Sequence, residues 1–325
     1  MTSATTLEVH TPISATPKFL RQWHYQMLSF DRNAGSIGRN AVFHAWISRD
    51  TPQRDLRSEY SWLDSPRVVL HWLDEDFFRD YGYYGTGIAR GAFPYRSDWV
   101  IFTDADVLVS GELDSLISDL TQREAVGGVP AHLDCFGGDA SAWPRLFDAA
   151  DIADPVMDSA PSAPFWHQEV AAMPSYWNFG FVLGPRTQMK CLGSGLLSEL
   201  EVVRSFWGSV FQCQQAVTLA IQRQRVPHID LHVRYNFTNY SEFVHHCPEE
   251  WQEARVIHYL GRSEEFSKDK DFDSEESIAY LLGRKLDNPV NRRVQELLGE
   301  LSGRRLRREH ASLWSRFRAT VSHRR

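Results

Sequence analysis

The sequence has no apolar run near the roughly 18 to 20 residues that a membrane-spanning helix needs. Its opening, MTSATTLEVH, lacks the basic and apolar regions of a secretion signal. Those two absences lead to the expectation of a cytoplasmic protein. Cysteine is scarce: Cys135, Cys191, Cys213 and Cys247 are widely separated and form no CxxC pair, which argues against a disulfide framework and a zinc ribbon. His228, His232, His245 and His246 match no familiar zinc spacing. No internal repeat or low-complexity tract is present, and no glycine-rich phosphate loop follows the first apolar run, where the chain reads Thr11, Pro12, Ile13, Ser14.

What is present is enough for a large core. Of 325 residues 42% are hydrophobic and 13% aromatic, the composition of one large domain or two closely joined ones. The net charge of −7 conceals an asymmetry. Residues 284–325 hold twelve Arg or Lys against Asp287, Glu296, Glu300 and Glu309, a balance of +8 that leaves −15 for the rest. Such a basic helical tail can rest on anionic lipid or form a solvated face. The chain is therefore expected to be cytoplasmic, either free or peripheral to the inner face of a membrane through this tail.

Strand-like and helix-like patterns alternate through the first third, which predicts βαβ units and a parallel sheet. Strands are predicted at Leu7–Ile13, 41–47, Val68–Trp72, 98–104, 125–130, 176–183 and 255–260. Helices are predicted at 17–30, 81–93, 113–120 and 214–222. Residues 137–174, rich in Ala, Pro, Ser and Asp, read as an insertion. The run 98–104, DWVIFTD, has the length of a buried central strand.

At the end of that run stand Asp104, Ala105 and Asp106. Alternation along a strand predicts that the two carboxylates project to one side with Ala105 opposite. Two hard carboxylates at a strand's end make half of a magnesium or manganese site, completed by phosphate oxygens and water. His258, inside the apolar run 255–260, reads either as a packed core residue or as a third ligand, a set that suits manganese.

Three segments together resemble the GT-A glycosyltransferases, particularly family 8, which includes glycogenin and bacterial lipopolysaccharide hexosyltransferases. They are DWVIFTDADVLV at 98–109, YWNFG at 176–180 and VIHYLG at 256–261, in the family's order. The likeness spans residues 7–262. It implies a Rossmann-like, mostly parallel central sheet flanked by helices, with one domain over 1–283. Within it the donor-binding half would take about 1–130 and the acceptor and metal-histidine half about 131–283, followed by a basic helical extension over 284–325.

The resemblance implies a UDP-sugar donor, Mn2+ or Mg2+ as cofactor, and transfer of a hexose-type sugar to an acceptor hydroxyl of a glycan, lipid, protein or small molecule, with no nucleic acid as partner. Metal ligands would be Asp104, Asp106 and His258. Donor contacts would come from Thr11, Arg90, Asp104, Ala105, Asp106, Asn178, Gly180, Gly261 and Arg262, and catalytic roles from Asn178 and Gln214. Thr11 reads equally as a turn residue, and Arg90 as a solvated helix arginine.

The chain departs from the family at Cys213, which stands where an aspartate is expected, and after Gly261, where Arg262 would replace a lysine. Retention of configuration is implied, through same-face attack assisted by the departing phosphate. An inverting route would need one carboxylate base, for which Asp134, Asp139 and Glu169 are available. Trp143, Phe165, Trp166 and Trp177 offer faces for a sugar ring or filling for the core. The charged run 262–276 reads as a closing lid or as a solvated connector. Two other functions fit in part: a nucleotidyltransferase acting on sugar phosphates, and a non-catalytic sugar-binding protein on a transferase fold.

Overall fold

A computed structural model describes residues 5–132, 135–136, 139, 141–159, 173–261, 263 and 265–303. Its strands are β1 (Leu7–Ile13), β2 (Val42–Ile47), β3 (Val68–Trp72), β4 (Trp99–Thr103), β5 (Val107–Val109), β6 (Val126–Pro130), β7 (Trp177–Pro185), β8 (His228–Asp230), β9 (Phe237–Thr238) and β10 (Val256–His258). The helices are α1 (Pro17–Asn33), α2 (Leu56–Glu59), α3 (Glu75–Ala89), α4 (Asp114–Arg123), α5 (Ala142–Ala149), α6 (Arg186–Phe206), α7 (Gln212–Gln224), α8 (Ser241–His246), α9 (Lys268–Asp271), α10 (Glu275–Gly283) and α11 (Pro289–Leu301).

The main sheet runs β3-β2-β1-β4-β7-β6-β8. Every pairing in it is parallel except those made by β7, which is antiparallel to both β4 and β6. Both faces are covered, so the central strands are apolar on both sides. In β4, Trp99 and Ile101 join the core beneath α1 and α4, while Val100 and Phe102 join the core beneath α3, α6 and α7. Strand periodicity thus survives inside an unbroken apolar run.

A small second sheet, β5-β10-β9, continues from the end of β4. Leu108, Phe237 and Ile257 bury one face of it against Val290, Val294, Leu297 and Leu298 of α11. Residues 284–301 therefore contribute to the globular core, and the remainder of the basic tail, 304–325, lies outside the described residues. Phe266 and Phe272 are fully buried in the same core. Within the charged run, residues 265–276 are thus pinned by two aromatic anchors that the polarity of the run conceals. Among the described residues no helix is long and apolar enough to cross a membrane.

On the α3 face of the sheet, a histidine stands on each of three neighbouring strands. His10 stacks on His44 at 4.4 Å between ring centroids, and His44 Nδ1 lies 2.9 Å from His71 Nε2. Burial pushes His10 down from 6.5 to about 4 and His44 to about 3, and lowers His71 as well. A histidine held neutral in the fold but free to protonate when unfolded stabilises the protein fully above about pH 6.5. That contribution is lost as pH falls through the folded value. For His10 alone the drop corresponds to about 3 kcal/mol. Glu8 moves the other way, to about 2: burial raises it, but hydrogen bonds from His10 and the backbone N–H groups of Arg96 and Ser97 outweigh that. Its contribution persists through the same window. The expected result is a thermal unfolding midpoint that falls steadily from pH 7 to pH 4, and that falls less in His10→Asn; a flat profile over that range contradicts the assignment.

Candidate active site

β4 ends at Thr103, so Asp104, Ala105 and Asp106 occupy the turn leading into β5 rather than the strand itself. The expected alternation does not apply there, and the turn is shaped by contacts from three sides. Asp104 N–H donates to Gly180 O at 3.0 Å and Tyr259 N–H donates to Asp106 O at 3.0 Å. From behind, the buried amide of Gln26 in α1 donates to Asp104 O, while its Oε1 accepts the Thr11 hydroxyl at 2.8 Å. Ala105 is buried in the core. The turn thus aims both carboxylates outward, toward β10.

β10 pairs antiparallel with β5, placing His258 opposite Val107. Its Nε2 lies 3.2 Å from Asp106 Oδ1 and 3.8 Å from Asp104 Oδ2. One ligand atom from each of the three residues falls within 4.8 Å of the others. His258 Nδ1 lies 3.1 Å from Asn236 Oδ1, and Asn236 Nδ2 donates to Asn178 O at 3.5 Å, which orients the amide oxygen toward the ring. Nδ1 is therefore the donor, and the lone pair of Nε2 in the neutral ring faces two carboxylate oxygens. Three acceptors aimed at one point need a positive charge between them, either a proton on Nε2 or a cation. Two carboxylates with one oriented imidazole form a donor set that fits a divalent metal.

Gly180 makes this approach possible. A Cβ there would lie 2.1 Å from His258 Cε1 and 2.5 Å from Nδ1, so any side chain would evict the ring. The resemblance implies a donor contact for Gly180, whereas the space in front of it is filled by the histidine. Gly261 is similar: its N–H donates to Asn239 Oδ1 at 2.5 Å, and a Cβ would lie 2.8 Å from that oxygen.

The two aspartates differ electrically. Burial and the charge of Asp106 raise Asp104 above the usual carboxylate range, offset in part by His258 and Arg90. Asp106 is also penalised by burial, but Lys268 and His258 drive it well below that range. Lys268, at the start of α9, places its ammonium against Asp106 Oδ2.

The structure puts Thr11 and Arg90 behind the site. Thr11 is fully buried on Gln26. Arg90 is fully buried too, and its guanidinium donates to the carbonyls of Gly87 (2.8 Å), Thr103 (3.0 Å), His10 (3.2 Å) and Phe179 (3.4 Å). Its hydrogen-bonding capacity thus serves the protein's own backbone instead of a solvated helix face or an open donor site. Burial lowers Arg90 to about 10, so it remains a fixed positive charge under Asp104 at neutral pH.

In front of the trio lies a cleft of about 180 Å³ lined by Asp104, Ala131, His132, Asn178, Phe211, Gln214, Tyr240, His258 and Leu260. Asn178 and Gln214, 36 residues apart in sequence, are brought together there. Among the described residues the buried Oε1 of Gln214 has no hydrogen-bond partner, leaving an acceptor facing the cleft. Cys213 turns away and donates to Tyr84 O at 3.5 Å, with burial raising its thiol to about 12.

Of the carboxylates considered as bases, Asp139 is exposed and paired with Arg145; Asp134 and Glu169 lie outside the described residues, as do Arg262, Phe165 and Trp166. Trp143 and Trp177 are core residues, the latter donating to Asp230 Oδ1 at 2.6 Å. The sequence reading missed Gln26, Asn236, His132, Tyr240 and Lys268. None belongs to a motif, and only their folded positions join them to the site.

Among the described residues a second trio, Glu8, His10 and His44, also brings three such atoms within 4.8 Å. It fits a metal poorly. The His10 and His44 rings are nearly parallel, at 11°, so their in-plane lone pairs do not converge. His10 Nδ1 already accepts Trp46 Nε1–H at 3.1 Å, leaving Nε2–H for Glu8.

No protein-family model matches the sequence, and no curated protein does. Among solved structures, the chain is similar to galactosyltransferase LgtC in complex with donor and acceptor sugar analogs, with a TM-score of 0.53 at 14% identity, covering 90% of this chain and 95% of that one. An active-site mutant of LgtC gives a TM-score of 0.54 at 12% identity over the same shares. The architecture is therefore the GT-A fold.

Proposed function

From the GT-A fold and the site built on it, we propose that the chain is a metal-dependent glycosyltransferase that moves a hexose-type sugar from a UDP-sugar to an acceptor hydroxyl, with retention of configuration. The observation that carries this reading is the convergence of Asp104, Asp106 and His258 at the carboxyl end of the central strand β4, where open α/β sheets hold their ligands. These three residues would hold Mn2+ or Mg2+, which supplies positive charge against the diphosphate and makes it a better leaving group.

The chain's own groups supply the remainder. Asn236 fixes the His258 tautomer, Gln26 and Thr11 fix the turn, and Arg90 keeps a positive charge beneath Asp104. Asn178 and Gln214 face the sugar; the free amide oxygen of Gln214 lies where it can stabilise positive charge developing at the anomeric carbon. Among the described residues lining the cleft, Asp104 is the only carboxylate and belongs to the metal trio. That supports same-face attack with the departing phosphate as base. In this scheme residues up to about 130 bind the donor, the part from 131 to 283 adds the acceptor side and His258, and Gly261 and Arg262 close the diphosphate end. The basic tail is assigned a peripheral contact with anionic membrane.

The test is incubation with Mn2+ or Mg2+ and a panel of UDP-sugars, with released UDP as the readout. UDP release that needs the metal and rises with an acceptor is expected. No release with any sugar, or release indifferent to chelator, overturns the reading.

A further inference from the structure

We infer that Lys268 is a tethered cation that competes with a divalent metal for Asp106, so that metal binds weakly alone and strongly together with a nucleotide diphosphate. The inference rests on the metal site proposed above and concerns its regulation.

Asp106 is nearly enclosed, its side chain 8% exposed, and both of its oxygens are taken. Oδ1 faces His258 Nε2 at 3.2 Å and Oδ2 holds the Lys268 ammonium. A metal ion sits roughly 2.1 Å from a ligating carboxylate oxygen. An ammonium hydrogen-bonded to the same carboxylate would be only a few ångströms from that ion. In a site shielded from water such a pair repels strongly, so Lys268 has to withdraw when the ion enters.

The surroundings permit withdrawal of the side chain without loss of the fold. Lys268 is carried on the single turn α9, whose backbone is held from outside the site. Gln22 donates to Lys268 O at 3.2 Å, Lys18 pairs with Asp269 at 2.8 Å, Arg284 pairs with Asp271 at 2.8 Å, and Arg21 donates to Phe272 O at 2.5 Å. Phe266 and Phe272 anchor the two flanks. The lysine has a flexible four-carbon stem and loses no backbone contact when its head moves.

The charges then fix the order of binding. With Asp104 and Asp106 ionised, Lys268 balances one of the two carboxylates. A divalent ion added alone leaves a positive excess beside Arg90. A diphosphate arriving with the ion removes that excess and offers new oxygens to the displaced ammonium. Metal and diphosphate should therefore bind cooperatively, with Lys268 as the source of the coupling.

The experiment measures Mn2+ binding from the electron paramagnetic resonance signal of free Mn2+, with and without UDP, for the unaltered protein and for Lys268→Met, Lys268→Gln, Lys268→Arg and Asp106→Asn. Without UDP, Lys268→Met and Lys268→Gln should bind Mn2+ at least about tenfold more tightly than the unaltered protein, and Lys268→Arg should stay weak. UDP should enhance Mn2+ binding strongly in the unaltered protein and much less in the two uncharged variants. Uncharged variants that bind Mn2+ no better than the unaltered protein, where Asp106→Asn abolishes binding, overturn the competition while leaving the metal site standing. Binding unaffected by Asp106→Asn, or absent throughout, overturns the metal site and this inference with it.

Discussion

Asp104→Asn and Asp106→Asn should each lower metal-dependent turnover of a UDP-sugar by on the order of 10³-fold, the scale expected when a group that stabilises developing charge is removed. The side chains keep their shape, so the turn between β4 and β5 keeps its backbone bonds to Gly180 and Tyr259. The two variants should differ in stability. The Asp104 side chain keeps 39% of its surface open to the cleft, and because burial of its carboxyl and the charge of Asp106 already disfavour its ionised form, losing that charge costs the fold little. Asp106→Asn strips the partner from a largely buried lysine, so its unfolding midpoint should fall further. Turnover and thermal melts of the two proteins check both points. Activity within about threefold of the unaltered enzyme in both would remove these residues from the site.

Gly180→Ala should be nearly as damaging although it removes nothing. The new methyl would lie 2.1 Å from His258 Cε1, and the backbone around it is the middle of the central sheet, unable to yield. The imidazole must turn away from Asn236 and from both aspartates. Overpacking of this kind costs about 1–3 kcal/mol of stability. Displacing an oriented ligand should cost about 10–100-fold or more in metal affinity and activity. Because both changes act through the same ring, Gly180→Ala combined with His258→Ala should be little worse than His258→Ala alone. Losses that multiply in the double variant would show that the glycine serves something other than the histidine.

The reach of the sequence can be judged element by element. β1 and β3 are predicted with the observed ends, although Pro12 lies within β1, paired with Trp46, and does not close it. α6, the longest helix described, is absent from the sequence reading. Its stretch holds Gly193 and Gly195, which depress helix propensity, yet Gly193 is where the helix meets Gly91: a Cβ there would lie 2.1 Å from Gly91 O. Tertiary contact overrides local preference. Antiparallel β7 was expected as a strand, but its direction is not encoded in its own residues; it follows from pairing with β4 and β6. The convergence of Asp104, Asp106 and His258 was legible because the aspartates close one apolar run and the histidine lies inside another. The groups that aim it were not: Gln26 and Asn236 are single amides whose meaning comes only from the carbonyl or ring they meet. Arg90 was placed near the donor by its position before β4, and four backbone carbonyls explain where it went instead.

The small sheet that carries His258 also governs when a growing chain can work. Asp106 and His258 are 152 residues apart. At about 5–20 residues per second of synthesis, the carboxylates wait on the ribosome for roughly ten seconds or more before the histidine exists. β10 must then find β5 and β9, and α11 must arrive to cover their apolar side. A product cut short before Val256 would contain the whole main sheet and both aspartates, yet have no imidazole to complete the trio. The proposed activity should therefore appear only once β10 has been made and docked, and truncation between β8 and β10, within 231–255, should abolish it while keeping every strand of the main sheet in the chain.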